Sequence, residues 1–198
     1  MNLPNKLTLF RIILVPIMVI ISFFDIPGNI FGIPTTMLIL CAIFILASIT
    51  DKLDGYLARK NNQITTFGKF LDPIADKILV VSALIILVER GTIPAWIPII
   101  IVFREFLVSG YRLIASQSSG KVIAANKWGK LKTVTQMVAI ILTLIDVNPI
   151  GSIFTSSLTG FNFVLNLLDT LLMFLCVIAT IFSGYEYLKD GKDILKDM

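Results

Sequence analysis

Runs of apolar side chains, each close to the length needed to cross a bilayer, constrain this chain more than any other feature. A helix rises about 1.5 Å per residue, so roughly 20 apolar residues span the hydrocarbon core. Six runs qualify: 9–24, 34–58, 73–88, 93–115, 134–147 and 164–187. The third and fifth are short, and tilt or flanking polar turns would extend them. Charged residues make up only 15% of the chain, whereas a soluble domain carries about 25%. The expectation is an all-α polytopic membrane protein with six transmembrane helices, forming a single domain over 1–198. The stretch from Leu3 to Arg11 also reads as an interfacial helix leading into the first span, with Asn5 as its N-cap. No small-residue cleavage site follows the first run, so it reads as a span and not as a signal peptide.

Lys and Arg orient the spans. Fifteen of the 17 basic residues fall on one side of the six-run layout, among them Lys6, Arg11, Lys52, Arg59, Arg112, Lys121, Lys130, Lys132 and Lys189. Arg90 alone falls on the other side, and Arg104 lies within the fourth run. Positive loops stay in the cytoplasm, so both termini and the two basic loops are expected there. The net charge of +4 is read as this bias and not as a nucleic-acid footprint. Cys41 and Cys176 both sit inside apolar runs and read as packing residues. The chain has 0 His, which removes imidazole as base, nucleophile or metal ligand.

Charge at membrane depth is costly and marks function. The second run ends in Asp51-Lys52-Leu53-Asp54-Gly55-Tyr56-Leu57-Ala58-Arg59, and the third opens on Gly68, Asp72 and Asp76. Asp51, Asp54, Gly55 and Ala58 share one helix face, and Asp72 and Asp76 share another. The two helices are joined by a short loop, so their acidic ends should meet at the cytoplasmic interface. Four facing carboxylates need a positive partner. Oxygen-only ligands suit Mg²⁺ or Mn²⁺. Four carboxylates suffice for one such ion or for two about 4 Å apart, two being the expectation. Gly55 and Ala58 leave the acidic face without bulk, and Arg59 stands near the same end for a phosphate. Asp72 before Pro73 has a plainer reading as an N-cap with proline at the first helical position. Equally, the helix starts near Thr66 and takes Pro73 into its interior.

The pattern Asp-x2-Asp-Gly-x2-Ala-Arg-x8-Gly-x3-Asp-x3-Asp, from Asp51 to Asp76, resembles the complete signature of the CDP-alcohol phosphotransferase family. It fixes eight positions within 26 residues, with no departure at any of them. The segments from Leu3 to Arg11, Phe103-Arg104-Glu105, Arg112 and Gly129 to Thr133 resemble members that take glycerol-3-phosphate. The resemblance implies a homodimeric membrane enzyme with its active site facing the cytoplasm. It implies that a phosphatidyl group leaves CMP on CDP-diacylglycerol for a small alcohol. Asp51, Asp54, Asp72 and Asp76 match the family's metal ligands, and Asp76 its general base. Asp54, Gly55, Ala58, Arg59 and Gly68 match positions that bind the CDP-lipid.

The lack of His leaves Asp as the natural base. Direct attack is preferred to an aspartyl-phosphate, because carboxylates committed to metals are poor nucleophiles. A phosphorylated acceptor needs cations near the acids, and Arg112, Lys130 and Lys132 are the candidates. Inositol phosphate, serine or phosphatidylglycerol as acceptor, and more distantly an ion-coupled transporter, are the alternatives. Arg104 and Glu105 read as an ion pair within the fourth span. Asp146 and Asp169 lie near the opposite end and receive no catalytic role. Glu186, Lys189, Asp190, Lys192 and Asp193 read as a solvated tail.

Overall fold

The computed structural model describes residues 2–60, 66–118 and 127–190, apart from the side chains of 3, 4, 52, 55–59, 66–70, 113–118 and 190. Among the described residues there are six long helices: α1 (Leu3–Ser22), α2 (Thr35–Lys60), α3 (Thr66–Glu89), α4 (Trp96–Ser118), α5 (Lys127–Ile145) and α6 (Gly160–Asp190). Each apolar run therefore became a helix. Three of them are long and apolar enough to cross a membrane, over Asn5–Ser22, Lys127–Ile145 and Gly160–Lys189. Thr35–Asp51 forms a shorter apolar stretch.

The segment from Leu3 to Arg11 is not a separate interfacial helix. It is the opening of one continuous α1, and Asn5 lies inside that helix, buried, and is not its cap. Pro4 explains the start: proline fits the first helical turn, where its missing N–H costs nothing. The two readings of Asp72 also resolve. Helix α3 begins at Thr66 and carries Pro73 in its interior, so Asp72 caps nothing. A two-residue hairpin, β1 (Asn29–Ile30) with β2 (Ile33–Pro34), links α1 to α2. Gly28 sits before it at φ +119°, where a Cβ would lie 2.9 Å from Thr35 Oγ1, so only glycine fits. Thr36 Oγ1 accepts from the Ile26 amide at 2.9 Å and donates to the Phe24 carbonyl at 3.1 Å, closing that corner.

Helix α1 packs on both α2 and α3, and α5 packs along α6. Phe44, Leu40, Leu79, Leu84, Ile101 and Ile140 are fully buried in the shared core. Cys41 and Cys176 are buried, unbridged members of it. The outward faces stay apolar: Ile13 and Ile20 on α1, Ile99, Phe103 and Phe106 on α4, and Phe161, Leu171 and Ile181 on α6 are exposed. Water would penalise that surface, whereas hydrocarbon would not.

At the end where α5 meets α6, Asp146 accepts from Asn166 Nδ2 at 2.7 Å, and that amide also donates to the Pro149 carbonyl at 3.0 Å. Asp169 accepts from Thr143 at 2.6 Å. Both carboxylates thus serve the α5–α6 connection. Thr143, which holds Asp169, and Asp146, just past the end of α5, lie about three turns and more from Lys132.

Candidate functional site

The acidic signature meets a partner that spacing did not single out, the opening turns of α1. Arg11 is a charge inside an apolar helix, and its side chain is 0% exposed. Its Nη2 donates to Asp54 Oδ2 at 2.5 Å, and its Nη1 faces Asp51 Oδ1 at 2.7 Å as an ion-pair contact. Thr8, three residues earlier on the same face, donates to Asp72 Oδ1 at 2.7 Å and lies 3.4 Å from Asp54 Oδ2. Helix α1 therefore ties the end of α2 to the start of α3. Sequence reading placed Arg11 among the orienting charges. Its depth in an apolar helix, with acids expected nearby, is the signal that marks it as a counter-ion.

Among the described residues no three acidic side chains close on a single point. Asp51 and Asp54 are linked through Arg11, and Asp54 and Asp72 through Thr8. The physical reason is charge: facing carboxylates repel, and a buried guanidinium offers the compensation that burial requires. The donor set still fits a hard divalent cation. Its oxygens are all carboxylate or hydroxyl, and Asp54 and Asp72 from two helices converge on one small group, the Thr8 hydroxyl. Thr8→Val should leave both carboxylates short of a donor. A loss of about 1–3 kcal/mol is expected, read as a fall in thermal midpoint in detergent; an unchanged midpoint would mean the hydroxyl contributes nothing.

Asp76, one turn beyond Asp72, takes no part in these bonds, although Asp51 and Arg11 lie close enough to act on its charge. It is half-buried and lines a cavity of about 710 Å³ between α3, α4 and α5. Val80, Ile101 and Met137 give the cavity an apolar side. Lys77, Arg104, Arg112 and Lys132 give it four cations, and Glu105 a second carboxylate. Lys132 is buried and donates to Glu105. Arg104 lies 3.3 Å from the same carboxylate and also donates to Ser183 of α6. Arg112 donates to the Tyr187 hydroxyl, and Lys77 to the Ser109 hydroxyl. The Tyr187 ring is flanked by both guanidinium groups, 5.7 Å from Arg104 and 5.3 Å from Arg112, which lets two like charges face one cavity.

Two of the three basic residues expected for an acceptor phosphate, Arg112 and Lys132, are thus brought to one cavity. Lys130 is not: it is exposed and does not line the cavity. On a helix, positions 130 and 132 lie about 200° apart, so one faces away when the other faces in. Sequence reading missed Lys77, and it took the Arg104–Glu105 pair as structural. The pair exists, but it forms part of the cavity wall. Gly55, Ala58, Arg59 and Gly68 fall on α2 and α3, and their side-chain surroundings lie outside the described residues.

The chain is also similar to known proteins. The family model described as CDP-alcohol phosphatidyltransferase matches residues 1–182. The chain is 44% identical to a CDP-diacylglycerol–glycerol-3-phosphate 3-phosphatidyltransferase of Bacillus subtilis, covering 98% of this chain and 97% of that one. It is 39% identical to the protein of the same name from Haemophilus influenzae, covering 99% and 96%. It is 36% identical to a probable phosphatidylglycerophosphate synthase of Mycobacterium tuberculosis, covering 94% and 79%. With the acidic signature complete and the match running through five helices and into the sixth, the chain belongs to the CDP-alcohol phosphatidyltransferase family.

Proposed function

We propose that this chain transfers the phosphatidyl group of CDP-diacylglycerol to glycerol-3-phosphate, releasing CMP. The observation that carries the reading is the cavity where Asp76 faces four cations beside the acidic ends of α2 and α3. A phosphomonoester needs the cations, and its hydroxyl needs a base within reach. Relatives over nearly the whole chain bear the name of this activity. Mg²⁺ or Mn²⁺ held by Asp51, Asp54, Asp72 and Asp76 would offset charge on the diphosphate.

This chain's residues act as follows. Arg112 and Lys132 hold the acceptor's phosphate, with Arg104 and Lys77 on the same walls. That fixes the free hydroxyl toward Asp76. The Asp76 carboxylate takes the hydroxyl proton as the oxygen–phosphorus bond forms and the bond to CMP breaks. Gly55, Ala58, Arg59 and Gly68 are assigned to the CDP-lipid by their place in the signature. The apolar outer faces support a reading of the helices as six bilayer spans of a single domain. The Lys and Arg bias supports both termini and the site lying at the cytoplasmic face. Cysteine-labelling of loop positions from either side of sealed vesicles tests that orientation. A homodimer is part of the same reading, and cross-linking in native membranes tests it.

The deciding experiment is CMP release by the purified protein in mixed micelles. Release should require CDP-diacylglycerol, Mg²⁺ or Mn²⁺, and glycerol-3-phosphate. Inositol phosphate, serine and phosphatidylglycerol should fail to replace the last. Arg112→Glu should raise the apparent KM for glycerol-3-phosphate by about tenfold or more. A change confined to CDP-diacylglycerol would contradict the assignment of the cavity.

A further inference from the structure

We propose that Glu105 is the specificity-setting counter-anion of the cavity, a positioning residue that limits how tightly the acceptor's phosphate is held. The inference rests on the reading that this cavity receives that phosphate.

Charge on the cavity wall is unequal. Lys77, Arg104, Arg112 and Lys132 carry four positive charges, and Asp76 and Glu105 carry two negative ones. The surplus is two, the charge of a phosphomonoester dianion. The cations are also held differently. Lys77 and Arg112 rest on the neutral hydroxyls of Ser109 and Tyr187, so their charge stays available to a ligand. Lys132 and Arg104 are both turned to Glu105. An arriving phosphate competes with a resident carboxylate chiefly for those two, since Lys77 feels the Glu105 charge without bonding to it. The arrangement is built into the backbone as well. Ser109, which holds Lys77, donates to the Glu105 carbonyl at 2.7 Å, one turn back on α4.

The chemistry gives a reason for such a competitor. The acceptor's phosphate is a bystander: it enters on glycerol-3-phosphate and leaves unchanged on the lipid product. Holding it tightly would stabilise substrate, transition state and product alike, which does not speed the chemical step and slows departure. A fixed anion that shares Lys132 and Arg104 weakens that uniform grip while leaving orientation to all four cations.

The test uses the full-length protein in mixed micelles, with inorganic phosphate as a competitive probe against glycerol-3-phosphate. In Glu105→Gln, inhibition by inorganic phosphate should tighten by about tenfold and the KM for glycerol-3-phosphate should fall by a similar factor. The kcat should fall with them, as product release slows. KM for CDP-diacylglycerol should not move. Glu105→Asp, one methylene shorter and looser on Lys132, should shift both constants the same way by about two- to threefold, and it serves if the glutamine variant does not fold. Lower kcat or yield with unchanged phosphate inhibition in either folded variant would make Glu105 a structural partner only and overturn the proposal. If inorganic phosphate fails to compete with glycerol-3-phosphate in the unaltered protein, the cavity reading itself fails, a result separable from either outcome at Glu105.

Discussion

Asp76→Asn is expected to lower kcat by about 10²–10⁴-fold or more, with the protein still folded. The substitution is nearly isosteric, and Asp76 carries little of the architecture. The carboxylates of Asp51, Asp54 and Asp72 are engaged by Arg11 and Thr8, whereas Asp76 accepts no hydrogen bond among the described residues. It faces a cavity large enough for an acceptor, with cations on the opposite walls. A carboxylate that accepts no hydrogen bond among the described residues and lines the cavity is suited to proton removal. With 0 His in the chain, no imidazole can substitute for it. CMP release measured beside a thermal melt separates the two effects. An unchanged melt with lost turnover supports the base role, and retained turnover would remove Asp76 from it.

The second large effect is expected at Arg11, on stability. Arg11→Met removes the cation between Asp51 and Asp54 and leaves Asp54, itself buried, without its charged partner. Breaking one side of a buried ion pair costs about 3–5 kcal/mol, because the remaining charge keeps its burial penalty. The thermal midpoint in detergent should fall sharply, and less protein should be recovered folded. Adding Asp54→Asn to Arg11→Met should return part of the lost stability, since the orphaned charge is then gone, yet turnover should stay absent. A single variant as stable as the parent would mean that the acids on α2 do not rely on α1.

Much of the framework was legible in local sequence. All six apolar runs became helices, because a helix pairs the backbone N–H and C=O groups of an apolar stretch within the stretch itself. The short third and fifth runs were extended by polar turns at their N-terminal ends, so α3 starts at Thr66 and α5 at Lys127. The acidic signature was readable because its eight positions lie within 26 residues, where helical spacing decides which share a face. Helix starts were less legible. Asn5 has good capping chemistry, but Pro4 lets the helix begin before it.

What sequence by itself determined is a mostly helical chain with the four carboxylates of its signature near one pair of neighbouring helix ends. Both are consequences of residue type and of the 3.6-residue turn, acting over a few tens of residues. Only the tertiary structure decided which charges meet those carboxylates. Arg11 and Thr8 reach across from α1, more than 40 residues away. Lys132 rather than Lys130 faces the cavity, and Glu105 stands between two of its cations. Such pairings depend on how whole helices rotate and cross as their apolar faces pack, which no single stretch of the chain encodes.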